Sequence, residues 1–411
     1  MRRLLILLAV AAAFMSSSAA AAVSGEQRLL IVLTTWGPTP VTPEEARGVL
    51  TRASAFERAA SYGTTWLGGD VAGWVGLPRT TGCDLDAIER AGRSEARAAG
   101  LDPDSYNRLV FVFPQNDCPW GGAYFGGNVW ANGFFTEELL AHELGHLFGT
   151  AEEGPAWLCD AGACHAENYA SPYSVMGHGV GHYSAYEKWV YGWLRPTPAR
   201  AGGPYTLDAF ERHPSALRVL TASDEYWFEF RADEPGWNRA PWLFQWDLQP
   251  TRGVVVHAGL NGLADGAGAF SSRNVYVPAN GKAALGTGET VAVAGAFTAT
   301  VSSAEGDRAV VDVRWTDTTR PRAPRIVSAR PELTWTAARE TGSGVASYEV
   351  RLDGRVVRRL SAVQDTGSLL LPATLRVRLP RLLRGVHRVS IVAVDRAGNR
   401  SPAAVRSFRV K

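Results

Sequence analysis

The pattern of hydrophobic and polar positions divides this chain into three stretches. In the first, apolar runs of strand length alternate with segments of helical pattern up to about residue 200. The strand-like runs lie at 27–34, 64–75 and 109–113, and the helical segments begin at Thr42, at residue 84 and near Thr136. Thr42 is a typical helix N-cap, because a proline and then two acidic residues follow it. This alternation predicts a layered domain of strands and helices.

The two later stretches have the pattern of β-structure alone. After Gly-Gly-Pro at 202–204, short apolar runs are separated by Gly, Asn, Asp and Pro, which is typical of all-β domains. The segment 318–324 has the composition of a linker, and the residues after it have the length of one β-sandwich. The predicted fold class is therefore multidomain, an α+β domain followed by two all-β, sandwich-like domains. The predicted units are 23–200, 201–318 and 319–411.

The first 22 residues, 1–22, have the composition of a secretory signal peptide. Arg2 and Arg3 precede an apolar run at 4–14 and a stretch rich in small residues at 16–22. The apolar run is shorter than the roughly 18 residues that a membrane-spanning helix needs. We therefore predict cleavage between Ala20 and Val23, secretion to the extracellular space, and a mature chain without a membrane span; the alternative is a retained membrane anchor.

The balance of charges and the hydropathy exclude two classes of protein. The 411 residues carry 42 basic and 40 acidic side chains, a formal charge of +2, so no basic surplus points to nucleic acid as a partner. The mean hydropathy of −0.09 is too low for a protein that crosses a membrane several times.

The four cysteines all lie in the first half of the chain, which in an exported protein predicts two disulfides. Cys159 and Cys164 are close in sequence, so a local bridge between them is the simplest pairing. Cys83 and Cys118 are then left to pair with each other. A zinc site built from all four thiolates is the alternative, but such sites usually contain two closely spaced cysteine pairs.

The chemistry of the sequence is concentrated in the motif His-Glu-Leu-Gly-His at 142–146. On a helix, His142 and His146 lie one turn apart on the same face, so both imidazoles can bind one zinc ion. Glu143 lies on the adjoining arc, where it can accept a proton from a zinc-bound water. The alternative is a structural helix that carries two surface histidines.

The longer motif H-E-x-x-H-x-x-G-x-x-E resembles the metzincin motif. The resemblance implies that Gly149 turns the chain back toward the metal and that Glu152 is the third ligand, in place of the usual His or Asp. Glu167 would need a second helix, whereas 159–164 has the composition of a loop. Other residues could replace Glu152 as the third ligand: Glu153, Glu167, His165 or His178.

The surroundings of the motif are similar to those of gametolysin-like and immune inhibitor A-like secreted metallopeptidases. The similar segments are 61–64, 69–74, 120–127 and 184–194, and Tyr-Ser-Val-Met-Gly at 173–177 resembles the metzincin Met-turn. The resemblance implies an α+β zincin catalytic domain with Met176 beneath the metal ligands. It also implies that an edge strand near 121–130 pairs with a protein or peptide substrate in extended form.

His178, two residues after Met176, is a predicted contributor to catalysis. In several metzincins a tyrosine at this position can donate a hydrogen bond to the oxyanion that forms during attack. The resemblance implies that the His178 imidazole does similar work. The alternative is a loop histidine that only adds polarity to the rim of the site.

The C-terminal stretch resembles fibronectin type III or bacterial Ig-like modules. The matching pieces are 333–335, 344–350 and 392–399. Such modules bind surfaces or space domains, so the resemblance implies either contact with a cell surface or a polymer, or a spacer role, and the sequence does not decide between them.

Together, these features predict a secreted zinc-dependent endopeptidase with one catalytic zinc ion and with Glu143 as the general base. The alternative is a non-catalytic secreted protein that binds or adheres to surfaces and contains a degenerate zincin domain. The intact His142, Glu143 and His146 favour the enzyme, whereas the unusual third ligand favours the alternative. No feature of the sequence decides whether calcium is required.

Overall fold

The computed structural model describes residues 22–77, 83–150, 153–160, 163–177, 181–232, 252–259, 275–277, 284–330, 332–362 and 374–411. The side chains of residues 159, 160, 163 and 164 are not among those described. The predicted signal peptide, apart from Ala22, lies outside the described residues.

A five-stranded sheet organises the first part of the chain. Its strands are β1 Gly25–Thr35, β2 Thr65–Gly76, β3 Arg108–Phe113, β4 Gly122–Phe125 and β5 Asn128–Asn132. Their order is β2-β1-β3-β5-β4, and all neighbours are parallel except the antiparallel pair β4 and β5. Residues 29–33 of β1 are fully buried, as expected for a parallel strand that is covered on both faces.

Three α-helices cover this sheet, and a short fourth helix follows in the chain. They are α1 Pro43–Ala60, α2 Leu85–Ala98, α3 Glu137–Phe148 and α4 Ala185–Val190, with a 3₁₀ turn at Pro103–Ser105. Val49 of α1 and Leu140 of α3 share a core with Ile31 on one face of the sheet, and Ile88 of α2 packs on the other face. Among the described residues, no helix is both long and apolar enough to cross a membrane.

Two further sheets form the middle of the chain. The larger contains β6 Ala156–Asp160, β7 Ala163–Glu167, β8 Thr197–Pro198, β10 Leu217–Leu220, β11 Glu225–Arg231, β12 Gly253–Gly259 and β13 Val275–Tyr276. Its order is β7-β6-β13-β12-β11-β10-β8. The smaller contains β9 Gly203–Asp208, β14 Thr290–Val293, β15 Phe297–Glu305 and β16 Arg308–Trp315, in the order β14-β15-β16-β9. Phe228 and Val256 of the larger sheet share a core with Phe297 and Val311 of the smaller one.

The C-terminal β region, residues 321–411, contains the last two sheets. One has the order β17-β18-β21, from Arg325–Ser328, Leu333–Thr336 and Thr374–Val377. The other has the order β20-β19-β22-β23, from Arg355–Ser361, Val345–Leu352, Gly385–Asp395 and Ala404–Val410. Trp335, Tyr348 and Ile391 are fully buried in the core of this region.

The predicted fold class, an α+β zincin catalytic domain followed by two all-β, sandwich-like domains, is wrong. Among the described residues, strands account for 44% and helices for 16%, and with four helices and several sheets this part of the chain is mostly β. The reason lies in β6 and β7, which include the segment expected to be a loop. Ala156 of β6 pairs with Tyr276 of β13, so strands from both sides of residue 200 share one sheet. Strands β6, β7 and β8 therefore belong to a sheet that continues beyond residue 200.

One of the two predicted disulfides is confirmed. Cys83 is bonded to Cys118, which ties the segment before α2 to the segment before β4. In the hairpin of β6 and β7, backbone pairing places Cys159 opposite Cys164. Because the side chains of these two residues lie outside those described, the second disulfide stays a prediction.

Candidate metal centre

Helix α3 presents the two histidines of the motif. Thr136 caps its first turn by accepting a backbone hydrogen bond at 3.3 Å. Leu140 and Leu144 are fully buried and fix one side of the helix against the sheet. His142 and His146 therefore lie one turn apart on the same face, as the motif predicts.

A carboxylate meets both imidazoles. Glu153 Oε2 lies 3.1 Å from His142 Nε2 and 3.4 Å from His146 Nε2. The two Nε2 atoms are 3.2 Å apart. One ligand atom from each of these residues lies within 4.8 Å of the other two. No other group of three or more His, Cys, Asp or Glu residues meets this distance in the described part of the chain. These three residues form the candidate metal centre.

Backbone carbonyls fix the orientation of both imidazole rings. His142 Nδ1 lies 2.9 Å from the Val175 carbonyl oxygen, and His146 Nδ1 lies 2.9 Å from the Thr150 carbonyl oxygen. Because a carbonyl can only accept, each Nδ1 carries the hydrogen and each neutral ring turns an Nε2 lone pair toward the other. Two lone pairs and a carboxylate then converge, which is unfavourable without a cation between them. This donor set fits zinc, whose histidine ligands usually donate their other N–H to a carbonyl or carboxylate.

The chain after α3 turns sharply to bring Glu153 to the histidines. Gly149 ends the helix with a φ of +129°, a backbone conformation that glycine adopts without strain. Gly154 has a φ of +48°, and a Cβ built there would come within 2.3 Å of the Gly177 nitrogen. The Tyr169 amide donates a hydrogen bond to the Glu153 carbonyl at 2.6 Å. Two glycines and this backbone contact therefore hold the Glu153 segment in place.

The protonation equilibria reflect the close contact between the three residues. Burial lowers the pKa of His142, but Glu153 and Glu143 more than offset this effect and leave the pKa above its ordinary value. In the absence of a metal, when Nε2 carries a hydrogen, burial raises the pKa of Glu153, but hydrogen bonds from His142 and His146 outweigh it and lower that pKa to about 2. Glu153 is therefore a carboxylate at neutral pH, as a metal ligand must be.

Two tyrosines that sequence reasoning did not single out flank the cluster. The Tyr169 ring stacks on His142 with 5.8 Å between ring centroids, and its side chain forms a hydrogen bond with Glu153. The Tyr124 ring stacks on His146 with 4.3 Å between centroids. Tyr169 has a φ of +62°, which is uncommon for a residue other than glycine and is typical of functional sites. Tyr124 falls within the similar segment 120–127, whereas no local motif marks Tyr169.

We predict that Tyr169→Phe weakens zinc binding by about 10- to 100-fold, the usual cost of losing an outer-shell hydrogen bond to a metal ligand. The substitution keeps the ring on His142 and removes only the hydroxyl that bonds Glu153. Competition with a zinc-binding dye measures the affinity. Tyr124→Phe is the matched control, because its stacked ring is retained as well. Equal zinc affinities for the two variants would show that the Tyr169 hydroxyl does not support Glu153.

Glu143 is placed by the edge strand of the first sheet. Its side chain is nearly buried, and a Cβ built on Gly122 of β4 would come within 2.5 Å of Glu143 Oε1. Burial raises the pKa of Glu143, and the nearby His142 and His146 lower it only in part. The net rise brings this carboxylate closer to the pKa that suits a general base near neutral pH.

The other predicted site residues fall into three groups. Met176 is fully buried, and its Sδ packs against Gly145, between the two histidines on α3. Glu167 lies 3.7 Å from His165 in an exposed pair outside the three-residue cluster. Glu152 and His178 lie outside the described residues, so their predicted roles stay predictions.

A buried carboxyl group supports α3 from α1. Glu57 is fully buried, and its Oε1 lies 2.9 Å from the Tyr183 hydroxyl, which is itself 2.7 Å from the Ala141 carbonyl oxygen. The one hydroxyl hydrogen cannot serve both acceptors, so a protonated Glu57 supplies the second hydrogen. Consistent with this, burial raises the pKa of Glu57 from its ordinary value of 4.5 to about 8.

We predict that Glu57→Gln reduces the pH dependence of stability between pH 5 and 8. A carboxyl whose pKa is raised to about 8 by folding stabilises the protein fully below 4.5 and loses that contribution as the pH rises toward 8. The contribution is on the order of a few kcal/mol, and the neutral amide does not titrate. Thermal unfolding at both pH values measures it, with Glu44→Gln on the exposed side of α1 as the control. Parallel pH profiles for the two variants would contradict a protonated Glu57.

No family model matches the sequence, and no curated protein matches it. The fibronectin(III)-like modules of Clostridium thermocellum CbhA match with 18% identity and a TM-score of 0.15, over 23% of this chain and 92% of that chain. The Clostridium perfringens spore cortex lytic enzyme SleM matches with 13% identity and a TM-score of 0.18, over 27% of this chain and 36% of that one. The extracellular domain of BT4673 from B. thetaiotaomicron matches with 9% identity and a TM-score of 0.16, over 66% and 32%. Scores this low do not establish a shared fold.

Proposed function

We propose that this protein is a zinc-dependent endopeptidase. The observation that carries the proposal is the convergence of His142, His146 and Glu153, with their ligand atoms within 4.8 Å of one another. Two neutral imidazoles and one carboxylate form the donor set of a catalytic zinc site that keeps a position open for water or substrate. We propose Glu153, rather than the predicted Glu152, as the third ligand.

Glu143 is the proposed general base. When bound, zinc would lower the pKa of a water molecule and polarise the carbonyl of the scissile peptide bond. The Glu143 carboxylate would accept the proton of the attacking water and then deliver it to the leaving amine. The raised pKa of this buried carboxylate supports both steps, because the group must gain and lose a proton near neutral pH.

The free edge of β4 supports binding of an extended peptide. Among the strands that the structure describes, β4 is the last of its sheet, and the Asn132 amide donates to the Gly121 carbonyl at 2.7 Å. Residues of an antiparallel pair turn their backbone groups alternately toward and away from the partner strand. Ala123 therefore bonds to β5, whereas the backbone N–H and C=O of Gly122 and Tyr124 point to the open edge. These are the groups that a substrate strand would use.

The same two residues connect this edge to the candidate metal centre. Gly122 lies against Glu143, and the ring of Tyr124 lies on His146. A peptide paired with β4 would therefore pass beside both the general base and one zinc ligand. Tyr124, Phe125 and Phe134 are exposed aromatic side chains in this part of the structure, which favours substrates with apolar side chains near the scissile bond.

We propose that the protein acts outside the cell. The Cys83–Cys118 disulfide is typical of secreted proteins, and the composition of residues 1–22 predicts export.

Casein hydrolysis by purified protein tests the proposed function. We expect hydrolysis that stops when phenanthroline removes the metal and returns when zinc is added. A folded, zinc-loaded protein without hydrolysis of casein or of a peptide library would favour the alternative, a non-catalytic surface-binding protein.

A further inference from the structure

The C-terminal β region has a charge opposite to that of the rest of the chain. Residues 321–411 contain eighteen basic and six acidic side chains, a formal charge of +12. Because the whole chain has a charge of +2, residues 1–320 have a charge of −10. Seventeen of the eighteen basic residues are arginines, whose charge does not depend on pH in the physiological range.

Two acidic side chains of this region, Glu349 and Asp353, are engaged within it, and its basic side chains outnumber the acidic ones threefold. Glu349 alone pairs with Arg351, Arg359 and Arg400, at 2.7, 3.6 and 3.1 Å. Asp353 accepts hydrogen bonds from the His387 ring at 2.7 Å and from a backbone amide at 2.8 Å. The negative charges of Glu349 and Asp353 are therefore balanced within the region, and the excess positive charge of the arginines acts on the surroundings.

An exposed apolar side chain lies among these arginines. Leu383, in the segment before β22, is 84% exposed, and Val386 at the start of β22 is 62% exposed. Arg381, Arg384 and Arg388 are exposed on either side of them. We call residues 381–388 the basic tip.

The conformation of the basic tip is held by hydrogen bonds. His387 Nε2 lies 2.9 Å from the Leu383 carbonyl oxygen, and His387 Nδ1 lies 2.7 Å from Asp353 Oδ2. Asp353 Oδ1 also accepts the Arg388 amide at 2.8 Å. The turn between β19 and β20 therefore braces the segment that exposes Leu383, and little ordering is needed when this surface binds a partner.

We propose that the basic tip docks on the surface of a bilayer that contains anionic phospholipids. Arginines near such a surface are attracted to the phosphate headgroups, and Leu383 enters the boundary between headgroups and acyl chains. Each arginine keeps its guanidinium at the level of the headgroups while its aliphatic stem lies beside the buried leucine.

The exposed apolar residues favour a lipid surface over a soluble polyanion. A polyanion is bound through charge alone and gains nothing from an exposed leucine. Single-stranded nucleic acids and sugar rings are usually bound on exposed aromatic side chains. In the described part of the C-terminal β region, the exposed large apolar side chains are Val327, Val356, Leu383, Val386 and Val405, and none of them is aromatic.

Sedimentation of full-length protein with vesicles tests the proposal. We expect binding to vesicles of phosphatidylcholine with phosphatidylglycerol, and at least about tenfold weaker binding to pure phosphatidylcholine, because a single arginine contributes roughly fivefold to the affinity.

Leu383→Ser is expected to reduce the affinity for the anionic vesicles about tenfold through the loss of apolar burial. Arg381→Gln combined with Arg384→Gln is expected to reduce it about 25-fold. The leucine is exposed and bonds only through its backbone, so these variants should fold and retain the basal peptidase activity.

Val405→Ser is the matched control for the leucine substitution. Val405 is 45% exposed on β23 and pairs with Ser390, five residues along β22 from Gly385 and so about 16 Å from the end of β22 that follows Leu383. We expect this variant to bind like the wild type. Equal binding to both kinds of vesicle, or equal effects of Leu383→Ser and Val405→Ser, would overturn the proposal. Binding of inorganic polyphosphate as tight as that of the vesicles, and unchanged by Leu383→Ser, would also overturn it in favour of a soluble polyanion.

Discussion

Glu143→Gln is expected to lower kcat for peptide hydrolysis by at least about 100-fold, the contribution typical of a positioned general base, while zinc stays bound. The amide has nearly the shape of the carboxylate and fits beside Gly122, but it cannot accept the proton of the attacking water. The metal ligands His142, His146 and Glu153 are unchanged by this substitution.

Single-turnover hydrolysis of a fluorogenic peptide and the zinc content of the same sample measure both effects. Glu138→Gln is the matched control, because Glu138 lies on the exposed face of the same helix. Loss of zinc from Glu143→Gln would assign Glu143 a structural role. Turnover within a few-fold of the wild type in a zinc-loaded sample would exclude it as the general base.

Glu153→Ala is expected to weaken zinc binding by more than about 100-fold, because even an outer-shell partner of a zinc ligand contributes about 10- to 100-fold. Glu153 Oε2 is the only carboxylate oxygen in the described cluster, and without it two neutral imidazoles are left to hold the metal. The zinc dissociation constant measured by chelator competition reports the change.

Glu152→Ala and Glu167→Ala are the controls for this prediction, since both residues were sequence-based candidates for the same role. We expect both variants to bind zinc nearly as tightly as the wild type. A loss of zinc from Glu152→Ala but not from Glu153→Ala would restore the ligand that the motif predicted. A loss from Glu167→Ala alone would move the metal toward β7.

Local signals in the sequence predicted the elements around the site. The cap at Thr136 and the histidine spacing predicted α3, and the cap at Thr42 predicted α1; both helices are confirmed. The continuous apolar runs at 27–34 and 109–113 are confirmed as the buried strands β1 and β3. These features depend on residues that are close in sequence, so the pattern alone was sufficient.

The ligand set depended on contacts between distant residues. Glu152 and Glu153 are neighbours, and the direction of the chain after the turn at Gly149 decides which of them approaches the histidines. The backbone contact between Tyr169 and Glu153 helps to fix that direction, and no motif spacing encodes it. For the same reason, the stacking of Tyr169 on His142 could not be predicted.

The fold class was predicted wrongly because the pairing of distant strands was not visible in the pattern. The hairpin of β6 and β7 is short, and its place in the larger sheet depends on a partner more than a hundred residues later. The overall charge of +2 was equally uninformative, because it is the balance of a basic C-terminal β region and an acidic remainder.

The most direct test of the proposed function is a zinc titration of metal-free protein, followed by the rate of peptide hydrolysis. We predict that the rate rises in proportion to added zinc and reaches a plateau at one zinc ion per chain, because the described cluster offers one set of three ligands. A rate of hydrolysis that is already maximal before zinc is added would contradict the account. A folded protein that binds one zinc ion and hydrolyses no peptide would contradict it as well.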